Sequence, residues 1–357
     1  MLIKLPNNLN FRFEKNESPV SIFLQAEYST YSADDNQCDV DYHITFSEDS
    51  LPQQAYIVRP PVSYDQDGVF IFDHNHKICR IDYAKITYQN CHVSCDPHFN
   101  PDFFAIILEA LMHCTYLKSD YFYGHASAFI YKNQTILCPA WRNTGKTNLL
   151  LSFLKDGAEY IGDDWVLIKP DGSIETLPKR LNLFYYNFSQ NKDLLKYVSP
   201  EFKSLVDLTI LADNSQLMME PNTLEALKSQ AKARLRPEEL GFKSLQSSTK
   251  IDKIFYLSKY VGDDSQINIT NMDSNTLSHR ASEVTRFEQN FLWTSYNTHL
   301  ARTGVNNIQL DECLNKIPDL FHNAFKSITF IKEINFPGQT HIPQVKSSIL
   351  KILEEQT

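Results

Sequence analysis

The chain of 357 residues is long enough for two or three domains of ordinary size. Hydrophobic residues at 42% and charged residues at 22% describe a normal globular protein, and a net charge of −9 without an extended basic stretch argues against nucleic acid as a partner. No apolar run reaches the length of a membrane span, and the start Met1-Leu2-Ile3-Lys4-Leu5-Pro6 has no signal-peptide core, so a cytoplasmic protein with no membrane partner is expected.

From Asn10 to about Asn90 short apolar or alternating runs predict strands at Phe11 to Phe13, Val20 to Leu24, Val40 to Phe46, Ala55 to Val58, Val69 to Phe72, Ile78 to Tyr83 and Ile86 to Tyr88. Polar segments between them read as turns, and residues 1–99 are expected to form a β-rich region, either an antiparallel domain or an added sheet of the central one. Seven cysteines in so long a chain predict buried thiols rather than a disulfide framework. The spacing Cys91-His92-x-x-Cys95-x-x-His98, with His74, His76 and Cys79 upstream, has enough ligands for zinc, but adjacent Cys91 and His92 would point to opposite faces of a strand.

Asn100-Pro101 predicts a helix start, with asparagine as cap and proline in the first turn. Its apolar residues cover more than one face, so the helix is expected to be buried, with His113 as a core or interface residue.

Next comes the stretch that carries the chemistry. Ala126 to Tyr131 and Thr135 to Cys138 read as a hairpin around Lys132-Asn133-Gln134. It delivers the chain into Ala140-Trp141-Arg142-Asn143-Thr144-Gly145-Lys146-Thr147, one residue short of the phosphate-cradling pattern G-x-x-x-x-G-K-[ST], with Ala140 at the first glycine position. Alanine serves there wherever the backbone is not left-handed. A short helix over Leu149 to Leu154, closed by Gly157, follows. In this context the loop amides and helix N-terminus would hold a di- or triphosphate, Lys146 would reach the β- and γ-phosphates and Thr147 would ligate Mg²⁺. The apolar strand Tyr160 to Ile168 is then interrupted by Asp163-Asp164. Burying either carboxylate needs a cation or hydrogen-bond partner, so the pair opens onto a site or forms a solvated surface turn.

Ile174 to Leu183 predicts a returning strand bearing Lys179-Arg180, and Asp207 to Arg236 helical pieces ending in Lys232, Arg234 and Arg236. Those cations are expected on a solvated face balanced by Glu238 and Glu239, with phosphate contact as the alternative. Strands follow at Ile251 to Tyr260, Gln266 to Thr270 and Ser327 to Ile331, a long helix at Thr276 to Leu300 and an amphipathic helix at Gln344 to Leu353.

As a set, His125-Ala126-Ser127, the loop ending Gly145-Lys146-Thr147, Gly162-Asp163-Asp164 and the hairpin leading to Arg180 resemble the HPr kinase/phosphorylase family and its relatives, among them peptide-modifying and free-serine kinases. The resemblance implies an α/β (α+β) fold with a P-loop kinase core of the HPr kinase / PEP carboxykinase type over residues 100–340, beside the β-rich region 1–99 and a closing helix at 341–357. It implies ATP and Mg²⁺ as cofactors and a hydroxyl-bearing peptide, protein or small molecule as acceptor, with homo-oligomerisation open. Asn143, Thr144, Gly145, Lys146, Thr147 and Asn148 would bind the nucleotide. Asp163 is the candidate proton acceptor, Asp164 joins Thr147 on the metal, and these two roles are exchangeable. His125 would hold or relay for the first carboxylate and Arg180 would steady the transferred group or an anion of the acceptor. The chain departs from the family at Ala140, Trp141-Arg142 and Asn148, so the phosphocarrier protein is not the expected substrate. A non-catalytic nucleotide-binding protein and a simple nucleotide hydrolase are the alternatives.

Overall fold

Lys132 and Asn133, with φ of 49° and 59°, make the two-residue turn that joins strands Phe122–Tyr131 and Gln134–Pro139. Two central residues with positive φ match the right-handed twist of the flanking strands, so this pair forms the expected hairpin, with Tyr131 facing Gln134 and Ala126 facing Pro139. The computed structural model describes residues 1–33, 39–47, 68–177, 179–214, 220–245, 247–261, 266–338 and 342–355, and the backbone of strands Tyr56–Arg59 and Val62–Tyr64.

The protein is mixed α/β, and two compact units share it. Met1–Tyr123, Ile168–Asp171 and Ser278–Lys326 form one; Gly124–Leu167, Gly172–Leu277 and Ser327–Thr357 form the other. The buried helix Pro101–Lys118 and the helices between Ser278 and Lys326 belong with the N-terminal strands.

In the first unit a nine-stranded sheet is mixed rather than antiparallel: Tyr42–Phe46 runs parallel to both Asn10–Phe13 and Cys91–Cys95. The strand expected at Val20 to Leu24 is instead part of helix Pro19–Tyr28. Its start has the same chemistry as that of Pro101–Lys118. Ser18 accepts from the Ser21 N–H as Asn100 accepts from Phe103, and a proline occupies the first turn in each. Ile86 to Tyr88 is not a strand either, because Thr87 and Asn90 take positive φ and turn the chain into Cys91–Cys95. Within that strand Cys91 is buried and His92 exposed, and Cys79, Cys91, Cys95, Cys114, Cys138 and Cys313 are buried free thiols. His113 is a core histidine: Nε2 accepts from the Tyr123 N–H, Nδ1 meets Gln289 Oε1, and burial pulls its pKa down to about 4. The expected long helix after Thr276 is two, Ser274–Glu288 and Asn290–Thr303.

The second unit is built on a sheet in which Gln134–Pro139, Lys253–Tyr260 and Ile331–Pro337 lie parallel, with antiparallel strands Phe122–Tyr131 and Asn268–Asn271 outside them. Trp165–Ile168 and Ser173–Glu175 extend it beyond Phe122–Tyr131, against which Glu159–Gly162 also pairs. Helix Lys146–Lys155 buries Leu149, Leu150, Leu151, Phe153 and Leu154 in the same core as Val345, Ile349 and Leu353 of helix Ile342–Glu354. Each such apolar side chain contributes about 1.5–3 kcal/mol. The start of Lys146–Lys155 is thereby held at the end of strand Gln134–Pro139. No helix among the described residues is long and apolar enough to cross a membrane.

The stretch Ile174 to Leu183 is not one strand. Ser173–Glu175 belongs to the large sheet, whereas Leu181–Phe184 pairs antiparallel with Lys232–Leu235 in a separate two-stranded ribbon. Lys232 and Arg234, expected on a helix face, lie on this strand.

Candidate active site

The loop between strand Gln134–Pro139 and helix Lys146–Lys155 turns through Asn143 at φ 60° and Gly145 at φ 101°. Ala140, where the pattern has glycine, is buried, pairs with Leu257 and donates its N–H to the His125 carbonyl, so its backbone makes no demand that alanine fails. Downstream, the backbone N–H groups of Asn143, Thr144, Gly145 and Thr147 donate to no acceptor among the described residues. Successive unbonded amides at a helix N-terminus form an anion cradle. The Trp141 carbonyl holds the loop in shape by accepting from Thr144 Oγ1 at 2.6 Å and Lys146 Nζ at 3.3 Å, and Lys259 donates to the Asn143 carbonyl.

Lys146 is buried, and its ammonium lies 3.4 Å from His125 Nε2. The other ring nitrogen, Nδ1, is 2.7 Å from the Ala140 carbonyl, an acceptor only. Nδ1 therefore carries the proton and Nε2 presents its lone pair to the lysine. Trp165 packs edge-on against the imidazole.

Adjacent residues of a regular strand point to opposite faces. Asp164 breaks this alternation with φ 61°, and Trp165 N–H turns back onto the Asp163 carbonyl, so that both carboxylates act on Lys146. Asp163 is buried and Asp164 is partly buried, so neither is a fully solvated surface turn residue. Burial, with the neighbouring Asp164 charge adding to it, pushes the Asp163 carboxyl up to about 7 against the opposing pull of Lys146 and Thr147. Burial alone would raise Asp164 too, but Lys179, Lys146 and His125, with a hydrogen bond from Asn182, outweigh it and hold this carboxyl below its ordinary value.

Thr147 Oγ1 donates to Asp163 Oδ2 at 2.7 Å, so the carboxylate beside the helix threonine is Asp163. Of the two exchangeable roles expected for the aspartates, this contact sets Asp163 rather than Asp164 beside Thr147, and the kink at Asp164 is the reason. Asn148, expected to touch nucleotide, is committed elsewhere: its Oδ1 accepts from Asn187 Nδ2 at 2.9 Å and Asn191 Nδ2 at 3.1 Å in a buried amide cluster. Asn148→Ala is expected to destabilise the protein by about 1–3 kcal/mol, with nucleotide affinity changed by less than about twofold. Urea unfolding and a nucleotide titration check this, and a large affinity loss at unchanged stability would return Asn148 to the contact set.

Arg180 is half-buried and precedes the ribbon strand that brings Asn182 to Asp164. Tyr186, at the start of helix Tyr185–Gln190, feels both carboxylates, and burial with these charges pushes its hydroxyl up to about 12. Asn182 and Tyr186 were missed from sequence. Only the i, i+2 relation of Asn182 to Arg180 hinted at a shared face.

No protein-family model matches the chain, and no curated protein matches it. The site itself combines a strand–loop–helix with unbonded amides, a buried lysine, a buried carboxylate and a partly buried one at one place.

Proposed function

We propose that the chain is an ATP-dependent phosphotransferase with a P-loop core of the HPr kinase type, transferring the γ-phosphoryl group to a hydroxyl. The observation that carries this reading is the 2.7 Å contact of Thr147 with buried Asp163, beside a loop whose amides await an anion. Phosphate oxygens accept from such amides, and Lys146 exchanges His125 and Trp141 for the β- and γ-oxygens. The Asp163 Oδ1 atom is buried with no hydrogen-bond partner, and with Oδ2 and the Thr147 hydroxyl it makes an oxygen-donor set suited to Mg²⁺. Bound by these residues, Mg²⁺ would neutralise charge on the triphosphate.

Asp164, kept ionised by Lys179, Lys146 and His125, takes the proton of the acceptor hydroxyl. As the acceptor oxygen bonds to the γ-phosphorus, the bond to the β,γ-bridging oxygen breaks and ADP leaves. The transition state is loose, so positioning and charge count for more than base strength. His125 steers Lys146 with its Nε2 lone pair, and Arg180 adds positive charge on the acceptor side. Buried free thiols fit a reducing cytosol.

The test is transfer of label from γ-labelled ATP by the full chain with Mg²⁺ and a panel of hydroxyl acceptors. Lys146→Ala is expected to weaken ATP binding about tenfold or more, because a buried charge-assisted contact is lost. Tight ATP binding with no label in any acceptor or in released phosphate would overturn the reading.

A further inference from the structure

The strand beside the loop's own strand brings a second cation to the anion cradle. Lys253–Tyr260 runs parallel to Gln134–Pro139, and Leu257 pairs with Ala140 where the loop begins. Leu257 is buried in the core shared with helices Lys146–Lys155 and Ile342–Glu354, and so is Phe336, which stands opposite Lys259 on the next strand. By alternation Lys259 takes the face of Leu257, and being exposed it is where that face passes from core to solvent. Ligands of sheets with parallel strands bind beyond such carboxyl ends. Lys259 Nζ donates to the Asn143 carbonyl at 3.3 Å, which fixes the ammonium against the loop whose amides form the cradle. A lysine ammonium has three donors, and this neutral carbonyl takes one. Among the described residues Lys259 has no carboxylate partner, so its charge is left for a ligand.

Position then decides which end of a bound polyphosphate this cation meets. Gln134–Pro139, which delivers the loop, lies between Phe122–Tyr131, the strand of His125, and Lys253–Tyr260. Neighbouring strands are about 4.8 Å apart, so His125 and Lys259 start one strand width to either side of the loop's strand. Asp163 follows the strand Glu159–Gly162, which pairs with Phe122–Tyr131, and it meets Thr147, while the Lys146 ammonium leans on His125. The metal and the transferred phosphoryl group belong on that side. A nucleotide laid across the cradle therefore turns its other end, the α-phosphate and ribose, toward Lys259.

We infer that Lys259 binds the α-phosphate of the nucleotide, and that the nucleoside lies on the Lys253–Tyr260 side of the loop, away from Asp163 and Asp164. This rests on the reading that the loop holds a nucleoside triphosphate, and it is independent of which acceptor takes the phosphoryl group. ATP and ADP share that end, so the contact is kept by the product.

ATP and ADP titrated calorimetrically, with Mg²⁺, into the full chain and its Lys259 variants give the test. Lys259→Ala is expected to weaken both nucleotides about tenfold and by the same factor, the loss of one charge-assisted contact. A loss confined to ATP would put Lys259 at the γ-phosphate, and unchanged affinity for both would remove the contact; either result overturns the inference. Two further variants separate a phosphate contact from a brace on the loop. Lys259→Gln keeps a donor for the Asn143 carbonyl without the charge and should bind as weakly as Lys259→Ala, whereas Lys259→Arg should recover most of the affinity. Wild-type affinity in Lys259→Gln would make the residue a brace alone and overturn the inference. Because Lys259 is exposed, all three variants are expected to melt close to the wild type. Failure of the nucleotide reading shows in the wild type itself, which would then bind neither ATP nor ADP and take the inference with it. A wild type that binds both through Lys259 yet labels no acceptor loses the catalytic claim alone.

Discussion

Asp163→Asn is expected to melt at a higher temperature than the wild type at pH 8, without nucleotide or Mg²⁺, while losing about a thousandfold in phosphoryl transfer. Two carboxylates on successive residues, one buried and one partly buried, cannot both ionise cheaply. Asp164 has Lys179, Lys146 and His125 to hold its charge, so Asp163 yields and its carboxyl rises to about 7. A carboxyl raised in the folded state adds stability that is present below its ordinary value and disappears as pH climbs through the folded value. Above pH 7 the wild type therefore carries a buried charge that the neutral amide lacks. Asparagine keeps an oxygen for the Thr147 hydroxyl, so the change removes repulsion without removing that bond. The gain at pH 8 is on the order of 4 kcal/mol, and it should shrink steadily toward pH 4.

The same substitution separates the two aspartates. With Asp163 on the Thr147 side, Asp163→Asn should raise the Mg²⁺ concentration needed for what turnover remains, whereas Asp164→Asn should lower kcat at an unchanged Mg²⁺ requirement. Thermal melts at pH 5 and pH 8, with a Mg²⁺ titration of activity, check both. A variant less stable than wild type at pH 8 would mean that the folded protein gains from the Asp163 charge, contrary to its burial and its unpartnered oxygen.

What was legible in the sequence was local. The turn at Lys132-Asn133, the loop ending in Gly145-Lys146-Thr147 and the Asn100-Pro101 cap each depend on the conformational habits of two or three adjacent residues. Asp163-Asp164 could be singled out because an apolar strand rarely carries charge without a partner. The Ser18-Pro19 cap had the same chemistry as Asn100-Pro101, but the short apolar run after it matched strand spacing as well as helix spacing. Long-range pairing was not legible. Lys232–Leu235 follows two helices and carries cations at alternate positions, which suits an exposed face of either kind. Only its partner strand Leu181–Phe184 decides that Arg234 lies opposite Asn182. Which carboxylate meets Thr147 hinged on the left-handed backbone of Asp164, a conformation an aspartate adopts without announcing it.

Gly145→Ala is expected to abolish nucleotide binding and to destabilise the protein, by two separable routes. The φ of 101° is open to glycine and strained for alanine by about 1–3 kcal/mol, so the loop relaxes and its amides cease to converge. In addition, a Cβ at this position would meet Ile342 Cδ1 at 2.6 Å, where helix Ile342–Glu354 backs the loop. Overpacking of that kind costs about 1–3 kcal/mol more. Ile342→Ala removes the collision and leaves the dihedral strain untouched. A double-mutant cycle should therefore give a favourable coupling of about 1 kcal/mol or more in stability, with no recovery of nucleotide affinity. Additive stabilities would place Ile342 outside the collision. Nucleotide bound by Gly145→Ala as tightly as by the wild type would remove the loop from the binding site, since no other feature of this turn depends so directly on the absence of a side chain.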